Sequence, residues 1–175
     1  MDDESLLGKA RDGDAAAFCR VVEQHEARLY RQALAMCRDR HIAEDLAQET
    51  LLEAWRGLSR YNGTCRFSTW LYSILLHRHQ KRFRNVEFAS ASIDSLSVPE
   101  NKEGPAEAAS RKESGERLRQ AVGALPEGTR DVVLLRFFAD ASLKEISTAL
   151  GIPLGTVKSR LHYGLKRLRQ EMPFG

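Results

Sequence analysis

Apolar residues in this 175-residue chain recur at intervals of three and four, and nowhere in the strict alternation of a half-buried strand. The pattern predicts an all-α protein. A short helix is expected over residues 4 to 11, giving way at Gly13. Asp14 is then placed to cap a long helix reaching about residue 37, with Phe18, Val22, Leu29, Ala33 and Met36 on one stripe. His25 shares that stripe and reads as a packed core histidine. A third helix, residues 41 to 58, should turn Ala43, Ala47, Thr50, Leu51, Ala54 and Leu58 inward. Beyond a polar loop, SRYNGTCR, in which Asn62-Gly63 signals a turn, a fourth helix starts near Phe67 and packs through Phe67, Trp70, Leu71 and Ile74.

The periodicity stops at residue 87. From there to residue 111 the chain is rich in Ser, Ala, Glu and Pro and reads as a flexible linker. It separates two small helical domains, residues 1 to 86 and 112 to 175. The second should open with a helix through Leu118, Val122 and Leu125, break at Pro126-Glu127-Gly128, and continue with an apolar helix over residues 129 to 138. Val132, Val133, Leu135, Phe137 and Phe138 are its expected core.

The most informative stretch is SLKEISTALGIPLGTVKSRLHYGLKRL, residues 142 to 168. Ser142 and Glu145 have the spacing of a capping box, in which each side chain satisfies a backbone donor at the other residue. Gly151 suits the left-handed conformation that ends a helix, and Pro153 can start the next one but not extend the last. In the following helix Val157, Leu161, Gly164, Leu165 and Leu168 share one face, while Gly155, Thr156, Ser159, His162, Tyr163 and Lys166 lie opposite, flanked by Lys158 and Arg167. Between Leu154 and Gln170 there are five Lys or Arg and no acid, so hydrogen-bonding side chains are rimmed by phosphate-neutralising charge. That is a helix-turn-helix with a recognition helix suited to the DNA major groove.

Net charge is only +3, but its placement matters more than its size. Residues 54 to 86 hold seven Lys or Arg and no acid, whereas most of the intervening acids fall between residues 87 and 116. Two basic segments separated by an acidic one predict two contacts with a polyanion. Tyr61, Phe67, Trp70, Tyr72 and Phe83 lie within the first basic segment, a combination that can grip unpaired bases and their phosphates. On the preceding helix Asp45, Gln48, Glu49, Leu52 and Arg56 cluster away from the core side, as a docking patch for another protein would.

No apolar run approaches the roughly 20 residues of a membrane span, and the N-terminal residues lack a signal-peptide pattern, so a cytoplasmic location is expected. Cys19, Cys37 and Cys65 are odd in number and form no CxxC pair, so neither a disulfide framework nor a metal site is expected. No carboxylate pair, nucleophile elbow or phosphate-cradling glycine loop is present, and no enzyme activity or cofactor is expected.

Taken in order, AEDLAQETLLEAW (residues 43 to 55), FSTWLYSI (67 to 74), GIPLGTVKSRL (151 to 161) and the tail GLKRLR resemble the small two-domain extracytoplasmic-function group of bacterial RNA polymerase sigma factors. The resemblance spans nearly the whole chain except the linker. It implies a protein that binds core RNA polymerase and promoter DNA, opening the −10 element as single strand and reading the −35 element as duplex. Carried over by position, Asp45, Gln48, Glu49, Leu52 and Arg56 would meet the polymerase. The loop from Tyr61 to Ser68 would accept a flipped −10 base, with Tyr61, Asn62, Arg66, Phe67, Trp70, His77, Arg78, Lys81 and Arg84 contacting that element. Gly155, Thr156, Lys158, Ser159, His162 and Tyr163 would face the −35 groove, with Arg160 and Arg167 on phosphates. An anti-sigma partner is also implied. One departure stands out: the family's usual Asn and Asp on the melting helix, in the pattern N-x-x-x-D-x-x-R, are His77 and Lys81 here, with Arg84 kept. The alternative is a two-domain regulator that binds operators through the same helix-turn-helix without joining polymerase.

Overall fold

The computed structural model describes residues 3–87 and 115–171, which form two compact units within Met1–Ser97 and Val98–Gly175. All regular structure in the described residues is helical, as the periodicity predicts. Apart from Glu87, which ends a helix, the expected linker lies outside the described residues.

In unit 1, α1 (Asp3–Arg11) leads into α2 (Ala15–Cys37), α3 (Arg40–Gly57), a single 3-10 turn (Leu58–Arg60) and α4 (Phe67–Glu87). The starts of α2 and α3 are set by carboxylate caps. Asp14 accepts from the Ala17 N–H at 3.0 Å and Asp39 from the Ile42 N–H at 2.9 Å. Between these helices Arg38 takes the left-handed conformation (φ 59°) and its N–H closes on the Leu34 carbonyl, so the reversal needs no glycine. α2 packs against α1, α3 and α4, and its buried face is correspondingly broad. Val21 is fully buried, whereas Val22 and Met36, expected inside, are half-buried. Leu46, Leu71, Tyr72 and Leu75 complete the centre. Thr50 is tolerated there because its hydroxyl donates to the Leu46 carbonyl at 2.6 Å.

Unit 2 holds α5 (described over residues 115–123), α6 (Glu127–Phe137), α7 (Leu143–Leu150) and α8 (Leu154–Glu171). The expected break at Pro126-Glu127-Gly128 is narrower than predicted. Pro126 occupies the N-cap position and its carbonyl accepts from Thr129 and Arg130, so α6 is already under way at Glu127. Arg130 donates to the carbonyls of Gly123 and Leu125 at 2.8 and 3.0 Å, tying the end of α5 to α6. Val132, Leu135, Ile146 and Val157 are fully buried. Phe137 and Phe138 are not core as expected: they stand 60% and 48% exposed. They fall in the last turn of α6 and just past it, where Leu135, Ala139 and Ala141 already fill the inner positions and the chain turns at Asp140 (φ 51°).

Candidate nucleic-acid and partner surfaces

The helix-turn-helix is braced at each joint. The Ser142 N–H donates to the Glu145 carboxylate at 2.9 Å while the Glu145 N–H donates back to the Ser142 hydroxyl at 3.2 Å, completing the predicted box. Gly151 is left-handed (φ 64°), and Ser147 donates to the Ile152 carbonyl at 2.6 Å across the turn. α8 begins at Leu154, directly after this turn. Its buried positions are Val157 and Gly164, with Leu161 and Leu168 half-buried and Leu165, placed inside by the pattern, 37% exposed. Gly164 is required by contact: a Cβ there would stand 2.7 Å from Val133 Cγ2 and 3.0 Å from Thr129 Cγ2 of α6.

Gly155, Lys158, Ser159, His162, Tyr163 and Arg167 are all exposed. Among the described residues none of Lys158, Lys166 and Arg167 has an ion-pair partner, so their charge is available to phosphates. Thr156 and Arg160 are half-buried. Arg160, expected on a phosphate, leans back over α6 beside Gly128.

In unit 1 the expected docking patch is on the surface. Leu52 is 56% exposed, and Asp45, Gln48 and Arg56 are exposed around it. Glu49, half-buried, faces α4. Here lies a feature the sequence reading missed. Arg78 bridges to Glu53 and, at 3.7 Å, to Glu49, while Arg82 bridges to Asp45 at 3.3 Å and Glu49 at 3.8 Å. Acids at every fourth position of α3 meet arginines four apart on α4, and only the helix topology reveals that the two rows face each other. Arg78, expected on DNA, is therefore held by α3, while His77 and Lys81 are exposed. The side chain of Arg84 lies outside the described residues.

The loop after α3 is ordered by its own hydrogen bonds. Tyr61, only 7% exposed, donates its hydroxyl to the Cys65 carbonyl at 2.6 Å, and its ring lies 5.6 Å from Phe67 and 5.1 Å from Trp70 between centroids. Phe67 is buried too and also touches His25, at 5.5 Å. Their faces are occupied by one another, so these rings frame the loop, whereas half-buried Trp70 and exposed Asn62 and Arg66 remain toward solvent. Asn62 accepts from the Thr64 N–H at 3.1 Å and Thr64 hydroxyl at 2.6 Å, with Gly63 at φ 74°.

Cys19 is exposed, Cys65 is buried, and burial pushes the Cys37 thiol above its ordinary value, so at neutral pH it is a protonated donor to the Asp39 carbonyl at 3.3 Å. Among the described residues no three His, Cys, Asp or Glu gather to hold a metal ion. Among them, too, no helix is long and apolar enough to cross a membrane.

Comparison with known proteins finds a match in each unit. The family model described as Sigma-70 region 2 matches residues 21–87, and that described as Sigma-70, region 4 matches residues 121–170. Across its length the chain is 30% identical to the ECF RNA polymerase sigma factor SigW of Bacillus subtilis, covering 95% of this chain and 94% of SigW. Solved structures share the fold at 23% identity. CnrH in complex with the cytosolic domain of CnrY superposes with a TM-score of 0.68, over 96% of this chain and 95% of that one. The sigma factor RpoE of Bartonella quintana, in complex with the anti-sigma factor NepR, does so with 0.62, over 88% and 95%. The two matched regions define a protein of the sigma-70 class. Within that class, the chain belongs to the ECF RNA polymerase sigma factors.

Proposed function

We propose that this chain joins core RNA polymerase through α3 and directs initiation at promoters whose −10 element is opened by unit 1 and whose −35 element is read as duplex by α8. The observation that carries the reading is the pairing of two surfaces of different chemistry. One is an exposed Leu52 set among Asp45, Gln48, Glu49 and Arg56, an aliphatic anchor within a polar rim. The other is a donor-rich helix whose cations Lys158, Lys166 and Arg167 have no ion-pair partner among the described residues. An operator-binding regulator would use the second surface and leave the first without a role.

At the −10 element, Asn62, Arg66 and Trp70 would line the approach to a flipped base, with Tyr61 and Phe67 as the frame beneath them. Extruding a base costs a few kcal/mol, which contacts in a preformed loop offset best. His77 and Lys81 would meet the strand's phosphates, and Arg84 joins them by its sequence position. The chain binds and positions, and nucleotide chemistry belongs to the polymerase. It acts in the cytoplasm, and an anti-sigma protein covering the exposed surfaces is its expected regulator.

Run-off transcription with core polymerase on a genomic promoter pool tests the proposal. Discrete chain-dependent transcripts sharing a −35 and a −10 sequence are expected, and a pool transcribed no differently from core alone would contradict it. The combined change His77→Asn and Lys81→Asp should alter which −10 sequences are opened. An unchanged preference removes those residues from the reading.

A further inference from the structure

Val157, Leu161, Gly164 and Leu168 follow one another along α8 at steps of four, three and four and so share a face, with Arg160, three residues after Val157 and four before Gly164, at its edge. Val157 and Gly164 are buried, and the other three are half-buried. This is the face that packs on α6. Two points of close approach lie along it. At Gly164, α8 meets the side chains of Val133 and Thr129. One turn earlier, about 6 Å along the axis, the Arg160 guanidinium lies against the first turn of α6: a Cβ on Gly128 would stand 2.6 Å from one Nη, 2.9 Å from Cζ and 3.3 Å from the other Nη. A cation alone is disfavoured at a helix N-terminus, but Glu127 opens this turn and Asp131 follows Gly128 by three residues, so carboxylates attend the site in sequence.

We infer that Arg160 is a positioning residue of the recognition helix and not one of its DNA contacts. Beyond the close approach at Gly164, the guanidinium laid over Gly128 restrains α8 one turn earlier, at the edge of the packed face. It thereby decides how Lys158, Ser159, His162 and Tyr163 meet the base edges, which contribute discrimination and not bulk affinity. Gly128 is the complement, since any side chain there would take the space the guanidinium occupies. The inference rests on α8 being the duplex-reading helix.

The test uses the full chain and fluorescence anisotropy on two labelled duplexes, a promoter recovered from the run-off pool and a scrambled duplex of equal composition, across a salt series. Arg160→Ala should lower the ratio of promoter to scrambled affinity about tenfold, the range of one lost base contact, and leave the slope of log affinity against log salt unchanged. Gly128→Ala displaces only the flexible end of an arginine, and alanine favours the helix by up to about 1 kcal/mol, so the melting temperature should hold or rise while the same ratio falls. The double variant should lose no more than either single one, and Arg160→Lys, which keeps charge without the planar group, should not restore the ratio. Arg167→Ala calibrates the assay, with a slope shallower by about 0.9 for one phosphate contact. A comparable change of slope in Arg160→Ala, or a wild-type ratio in Gly128→Ala, overturns the inference. A wild-type chain that binds both duplexes equally overturns the reading of α8 itself.

Discussion

Both units carry a basic helix, yet they treat its charge in opposite ways. In unit 1, Arg78 and Arg82 on α4 are matched by Asp45, Glu49 and Glu53 on α3, so two of the cations most visible in the sequence are neutralised within the fold. In unit 2 the framework is held by bonds to the backbone, from Ser142, Glu145, Ser147, Arg130 and Arg136, and Lys158, Lys166 and Arg167 of α8 have no ion-pair partner among the described residues. Counting Lys and Arg therefore overstates one surface and describes the other fairly. A basic stretch predicts phosphate binding only after its intramolecular partners are subtracted.

The contrast can be broken experimentally, starting with the largest effect. Leu52→Asp should weaken core polymerase association by about thirtyfold or more, the size of a loss of about 2 kcal/mol at an interface anchor. Because Leu52 is 56% exposed, circular dichroism should show an intact fold. Gly164→Ala should instead strike unit 2 alone. The added methyl meets Val133 and Thr129, and overpacking of this kind costs about 1–3 kcal/mol, visible as an earlier melting of one of two transitions. Ser142→Ala removes half of the capping box and should cost about 1 kcal/mol in the same transition, with no effect on polymerase binding. Smallest of all, an Arg82→Ala, Glu49→Gln double-mutant cycle should report a coupling of about 0.2–1 kcal/mol, as for a solvent-screened surface pair, that fades with added salt. A coupling of zero would mean that the acid ladder does not restrain α4.

Most of the fold was legible because the local signals agree: Asp14, Ser142, Gly151 and the position of Pro153 each mark a boundary that the structure keeps. What was not legible depends on which helix faces which. The stripe on α2 could not show that α1, α3 and α4 all press on it, and so put Val22 inward where Val21 belongs. Apolar density around Leu134 suggested burial for Phe137 and Phe138, but they stand at the end of α6, where Leu135, Ala139 and Ala141 take the inner positions. At the candidate sites, residue type was a good guide on α8, where Lys158, Ser159, His162 and Tyr163 are exposed as expected. It gave no sign that Arg78 and Tyr61 have partners on another element or within the loop itself. Arginine and tyrosine suit a structural bridge as readily as a ligand, and spacing along one helix cannot separate the two uses.

The division of labour between the units is tested most directly by placing a photocrosslinking residue at Lys81 in one variant and at His162 in another, and assembling each with core polymerase on an open promoter. The account predicts that the first labels the exposed strand of the −10 element and the second labels duplex at the −35 element. Labelling of one and the same element by both positions, or of neither element by either, would contradict it.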